Sequence, residues 1–250
     1  FAGGNDGTPF SDVIDYGAIQ SRGNFVDFGN LTTDQAWGAG GCSSSTRGLF
    51  SSWYPHSAII DYVEIQTKGN ALDFGDRSIT VAGAPTAVAS PTRAVWGGGY
   101  TSGSPLTSVA QSYMDFVTIS SKGNALKFGD LTKKRGAMGG CSNTVRGIFC
   151  GGTDWAGSTY ELTVIDYITI ASTGNATHFG ELTFGRGFGG ATSTQTRGIF
   201  GGMRFAPAIN NLIDYITIAS TGNALDFGDL SIARKEVTMT SDSHGGLGGF

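Results

Sequence analysis

Cysteine is scarce in this chain: Cys42, Cys141 and Cys150 are the only three in 250 residues. That is too few for a disulfide scaffold, and without a C-x-x-C pair there is no zinc spacing. Cys42 and Cys141 recur in G-G-C-S, which reads as small buried apolar residues; a Cys141–Cys150 bridge across a hairpin is the alternative. Charge is also thin, with 16 basic and 20 acidic residues, 14% of the chain, for a net −4. The largest basic cluster is Lys133-Lys134-Arg135, which argues against a nucleic-acid partner. No apolar run is long enough to span a bilayer, so membrane insertion is not expected. No signal peptide is visible, and a start at Phe1 without Met suggests a processed or trimmed N-terminus.

Catalytic signatures are missing too. The sequence has no G-x-S-x-G, no H-E-x-x-H, no P-loop and no dinucleotide fingerprint after a strand. Asp-Phe-Gly at Asp27, Asp73 and Asp226 spells the kinase tripeptide, but it lies inside a repeat and lacks the other kinase elements. His56, His178 and His244 sit in unrelated contexts, none with a second ligand at metal spacing. These absences lead us to expect no enzyme, no cofactor and no metal site.

What the chain does have is 41 glycines and a stretch that occurs five times. Its clearest copy is IDYITIASTGNALDFGDLS, from Ile213 to Ser231. The first aspartates of the copies are Asp15, Asp61, Asp115, Asp166 and Asp214, at spacings of 46, 54, 51 and 48 residues. I-D-Y-I-T-I alternates as a half-buried strand does, and the Gly-Asn pair after it signals a hairpin turn with positive φ. A-L-D-F-G-D-L returns as the partner strand. No helical stripe accompanies the repeat, which sets aside leucine-rich, ankyrin and TPR solenoids. Repeats of about 50 residues fit the blades of a β-propeller. The expected architecture is therefore all-β: one five-bladed propeller domain over residues 1–250, with four antiparallel strands per blade.

Each repeat divides into four strand-like pieces. R-G-A-M-G-G-C-S, from Arg135, is small and glycine-rich and suits an innermost strand. V-R-G-I-F-C-G-G, I-D-Y-I-T-I and A-T-H-F-G-E-L follow outward. The aromatic of the last piece (Phe28, Phe74, Phe128, Phe179, Phe227) is expected to be buried between neighbouring blades. Phe1-Ala2-Gly3-Gly4 matches Phe200-Gly201-Gly202, so the N-terminus enters its blade without a first strand. The residues from Val237 to Phe250 are expected to supply it, closing the ring with a blade shared between both termini.

On these residues the chain resembles kelch-repeat propellers. The double glycine after the second strand appears at Gly3-Gly4, Gly97-Gly98, Gly151-Gly152 and Gly201-Gly202, with Ser51-Ser52 as the departure. The third-strand pair is reversed to Asp-Tyr, and Phe stands for the usual Trp. The wording S-T-G-N-A-x-D-F-G-D-L followed by T-R-G-I-F-G-G also resembles repeat proteins of tailed marine and cyanobacterial bacteriophages. That second resemblance implies a virion or extracellular location.

The repeated Asp reads as structural, accepting loop hydrogen bonds or pairing with a repeated Arg such as Arg135, Arg186 or Arg234; a metal-binding ring of carboxylates is the alternative. Recognition is expected where the repeats differ, in the second-to-third-strand connections (residues 5–13, 51–59, 99–113, 153–164 and 203–212). They carry the candidate partner-binding rings Trp53, Tyr54, Tyr100, Trp155, Tyr160 and Phe205. In a propeller these loops share a face with the fourth-to-first connections. The functional reading is a non-enzymatic structural or interaction module, a tail, fibre or capsid-surface component that binds another virion protein or a host surface glycan. A lectin propeller is the first alternative. A propeller glycosidase using carboxylates such as Asp34, Asp154 and Glu161 is the second.

Overall fold

The computed structural model describes residues 1–5, 10–18, 20–34, 40–51, 57–81, 83–101, 109–154, 161–202, 204–205, 208–234 and 236–241. Among them there is no helix. The chain is a five-bladed β-propeller whose antiparallel sheets follow one another around a ring. Blade I contains β1 (Ala2–Asn5), β2 (Phe10–Tyr16) and β3 (Val26–Asn30). Blade II contains β4 (Gly40–Ser43), β5 (Arg47–Ser51), β6 (Ser57–Glu64) and β7 (Leu72–Val81). Blade III is built from β8 (Thr86–Ala89) and β9 (Arg93–Gly97), then a small hairpin of β10 (Tyr100–Thr101) and β11 (Val109–Ala110), then β12 (Tyr113–Thr118) and β13 (Leu126–Asp130). Blade IV is β14 (Gly139–Ser142), β15 (Arg146–Cys150), β16 (Val164–Thr169) and β17 (Thr177–Glu181). Blade V runs β18 (Gly190–Ser193) and β19 (Arg197–Gly201), a hairpin of β20 (Arg204–Phe205) and β21 (Ala208–Ile209), then β22 (Leu212–Thr217) and β23 (Leu225–Asp229).

One device joins each blade to the next. The Gly of the repeated Gly-Asn pair donates its N–H to the Phe carbonyl of the preceding blade: Gly69 to Phe28 at 2.9 Å, and Gly123 to Phe74, Gly174 to Phe128 and Gly222 to Phe179 at 2.8 Å. The Asn side chain accepts from the same strand; Asn175 Oδ1 takes the Asp130 N–H at 3.1 Å, with equivalents at Asn70, Asn124 and Asn223. This close approach explains the glycine of Phe-Gly. A Cβ on Gly129 would fall 2.1 Å from the Gly174 carbonyl oxygen.

The Gly-Asn pair is therefore not the turn tip that its spelling suggests. The reverse turn closes earlier, as in Ser172 N to Thr169 O at 3.1 Å and Ser220 N to Thr217 O at 3.2 Å. Positive φ occurs at Gly69, Gly123 and Gly222 but not at Gly23 or Gly174. The pair is used to reach the neighbouring blade, and that docking, rather than a mirror-image turn, sets its backbone.

Four of the repeated phenylalanines are buried between blades: Phe28 at 9% exposure, Phe74 at 2%, Phe128 and Phe179 at 3%. The fifth departs from expectation, with Phe227 49% exposed. The sequence of blade I supplies the reason. Each buried Phe packs with a Val or Ile on the next blade, Val63, Val117, Ile168 and Ile216. The corresponding residue of blade I is Gly17, and Phe25 stands where the other blades have Ala71, Ala125, Ala176 and Ala224. Phe25 folds back toward Gly17, where a Cβ would meet its ring at 3.2 Å, and packs edge-on to Phe1 at 5.1 Å. Among the described residues, no hydrogen bond links Gly23-Asn24 to Phe227 or Asp229.

Closure by the C-terminus is described in part. The Glu236 N–H donates to the Phe188 carbonyl at 2.8 Å, extending a series in which Ala137 donates to Ala84 and Phe188 to Ala137. A Cβ on Gly190 would fall 2.9 Å from Val237 O, matching the 3.0 Å between Gly40 and Pro85 O. Residues 237–241 thus begin along the path of a fifth inner strand, without ladder pairing. The rest of the expected closing segment, residues 242–250, lies outside the described residues.

Candidate functional site at the loop face

The repeated aspartates take up a structural position. Asp61, Asp115, Asp166 and Asp214 are buried, while Asp15 of blade I is half-buried. Each buried carboxylate receives a backbone N–H and a hydroxyl from the connection leaving the preceding blade, from Thr32, Ser78, Thr132 and Thr183 respectively. Arg77, Arg135 and Arg186 add a guanidinium to the last three; Arg135 Nη2 lies 2.9 Å from Asp166 Oδ2 and Arg77 Nε 2.8 Å from Asp115 Oδ1. Burial pulls the pKa of all three arginines down; Asp115 opposes the shift at Arg77, Asp166 at Arg135, and Cys150 and Asp226 at Arg186. Asp61 has its pKa raised by burial, with the Thr32 bonds acting against it. These groups are committed to holding blades together. Among the described residues, no three His, Cys, Asp or Glu side chains converge as a metal site would need.

The three cysteines are free thiols, so the Cys141–Cys150 bridge is not formed. Burial pushes Cys42 and Cys141 up to about 12 and raises Cys150 well above the ordinary range.

The second-to-third-strand connections are knitted at their roots to the fourth-to-first connections. Tyr100 N donates to Gly83 O at 2.9 Å, Gly152 N to Arg186 O at 2.9 Å, and Gly136 and Thr153 exchange two bonds. Loops and axial connections therefore form one surface. Tyr100, offered by the sequence as an exposed recognition ring, is 2% exposed. Its ring lies against Gly136 and its hydroxyl donates to the Thr153 carbonyl at 2.9 Å, so it anchors the loop root. Phe205 falls in the short strand β20. Trp53, Tyr54, Trp155 and Tyr160 lie outside the described residues.

On this surface, where the inner strands begin, a cavity of about 390 Å³ opens. Its walls include Ala84, Ala137, Met138, Phe188, Glu236 and Val237. Four of these share a backbone peculiarity. Ala84, Ala137, Phe188 and Glu236 have φ of 44, 53, 57 and 58°, and the first three each lie two residues before the start of an inner strand. Left-handed backbone at non-glycine residues is uncommon and persists only where surroundings enforce it. Here the successive N–H to carbonyl bonds described above enforce it. Strand alternation and repeat spacing do not single these residues out. One signal was available: blade II carries Gly38 at the same place, the residue that tolerates such a φ most easily.

Ala84, Ala137 and Phe188 pack with Tyr100 and Ala110 in a common apolar cluster, which ties the cavity wall to the long loop of blade III. The site is concave and mainly apolar, with a carboxylate-bearing residue and threonines in its lining. Such a chamber suits binding, since a few polar groups set orientation within apolar walls. No protein-family model matches the chain, and no curated protein matches it.

Proposed function

We propose that this chain is a non-enzymatic interaction module, a kelch-like propeller carried on a tailed-phage particle, with the loop face as its partner surface. The single observation behind this reading is the 390 Å³ axial chamber on the face that also bears the variable loops. The blade framework repeats too closely to specify one partner, whereas the loops differ in length and in aromatic residues. With a net charge of −4, long-range attraction is weak. Affinity then comes from buried rings and short-range hydrogen bonds. The partner is another virion protein or a glycan of the host surface, and the location is the virion or the extracellular space.

The test is localisation followed by loop substitution. Antibody raised against the chain is expected to label purified particles. Trp53→Ala and Trp155→Ala are expected to weaken attachment without changing Tm. Particles that lack the chain, or attachment that both variants leave intact, would overturn the reading.

A further inference from the structure

At the hairpin end of the blades, away from the loop face, a second cavity of about 220 Å³ lies at the junction of blades III and IV. Its floor includes Phe128 and Gly174, and around it stand Tyr167, Thr169, Ser172, Thr173, Asn175 and Thr177. The register explains how they meet. Tyr167 and Thr177 are direct cross-strand partners, so their side chains share one sheet face, and Thr169 lies two residues further along that face.

Only this junction has such a lining. At the place of Thr177 the other blades carry Val26, Leu72, Leu126 and Leu225. At the place of Thr173, blades I to III carry Arg22, Lys68 and Lys122. The two lysines reach across their junctions: Lys68 Nζ stands 4.7 Å from the Tyr16 ring centre and Lys122 Nζ 5.2 Å from that of Tyr62. Blade IV alone combines both threonines, which removes the apolar side chain and the cation together.

The polar groups left behind have open valences. The hydroxyls of Thr169, Ser172, Thr173, Thr177 and Tyr167 have no hydrogen-bond partner among the described residues. Asn175 Oδ1 is occupied by the Asp130 N–H, which fixes the amide and leaves its two N–H donors available. The Tyr167 ring is braced by the Arg146 guanidinium, 4.6 Å from its centre, and by the edge of Phe179. No acidic or basic side chain is in the lining.

We propose that this groove is a subsite for one neutral pyranose ring of a glycan. Hydroxyls that both donate and accept match the mixed demands of sugar hydroxyls, and an aromatic ring offers a surface to the C–H face. The absence of charge selects a neutral sugar over an acidic one. A shallow groove gains little beyond the entropy lost on binding, so affinity is millimolar. This deepens the glycan arm of the function proposed above and rests on it only for the source of the sugar.

The experiment is an amide chemical-shift titration of the full chain with methyl α-glucopyranoside, methyl α-mannopyranoside, methyl β-galactopyranoside and N-acetylglucosamine. At least one sugar is expected to shift the amides of residues 172–177 saturably. Thr177→Leu and Thr173→Lys install residues that other blades already carry, so the fold is kept. Each is expected to weaken binding at least ~10-fold with unchanged Tm. No shift at these amides with any of the four sugars, or wild-type affinity in Thr177→Leu, overturns the proposal. A protein that fails here yet attaches to particles through Trp53 and Trp155 loses the groove and keeps the interaction-module reading.

Discussion

Arg135 and Asp166 are both fully buried, and Arg135 Nη2 donates to Asp166 Oδ2 at 2.9 Å. Removing the guanidinium would leave a carboxylate out of water with only Thr132 to serve it. Arg135→Ala is expected to cost about 3–5 kcal/mol in urea unfolding, as breaking a buried pair does. Asp61 behaves in the opposite sense. Its folded pKa lies above the unfolded one because burial penalises the anion. The neutral form is therefore favoured on folding, and ionisation withdraws stability as pH rises through the folded pKa. Asp61→Asn is expected to stabilise at neutral pH, with the gain disappearing below pH ~4, where the unfolded carboxyl is itself protonated. Unfolding curves of both proteins across that range check the sign. The thiols make a third case at this scale, with Cys141 and Cys150 buried and Cys42 half-buried. In native protein Cys141 and Cys150 are expected to resist a thiol reagent at pH 8, and denatured protein to titrate three groups.

At the scale of the strand and hairpin, the repeat was legible because its periods are physical. Alternation in I-D-Y-I-T-I marked β6, β12, β16 and β22, and small residues in G-G-C-S marked β4 and β14. The Gly-Asn pair was misread because its spelling fits a tight turn and equally fits a strand lying against another blade. Only the neighbour's position separates the two. Gly129→Ala is accordingly expected to loosen the III–IV junction, since a Cβ there collides with backbone, whereas Gly174→Ala meets open space and should stay within ~0.5 kcal/mol of wild type. The phenylalanines divide in the same way. Phe179→Ala is expected to cost about 3–5 kcal/mol, and Phe227→Ala distinctly less, because half of that ring already faces water. The candidate site was less legible. Composition pointed to the loops, but the left-handed residues of the chamber and the hydroxyl groove depend on how separate repeats come together.

For the whole molecule, the joints I–II, II–III, III–IV and IV–V are alike, and the V–I joint differs. Gly17 and Phe25 exchange bulk between strand and hairpin, and Phe227 loses its partner. Amides of β23 are therefore expected to exchange with deuterium faster than those of β7, β13 and β17, which have a blade docked on them. Equal protection would show that the fifth joint is as tight as the rest.

The docking device also has a direction. The hairpins of blades II to V each hydrogen-bond to the outer strand of the blade made before them. Synthesis in the N-to-C direction would present each of blades II to V with a finished template. Assembly can then proceed as growth along a line, each addition burying the edge left by the last.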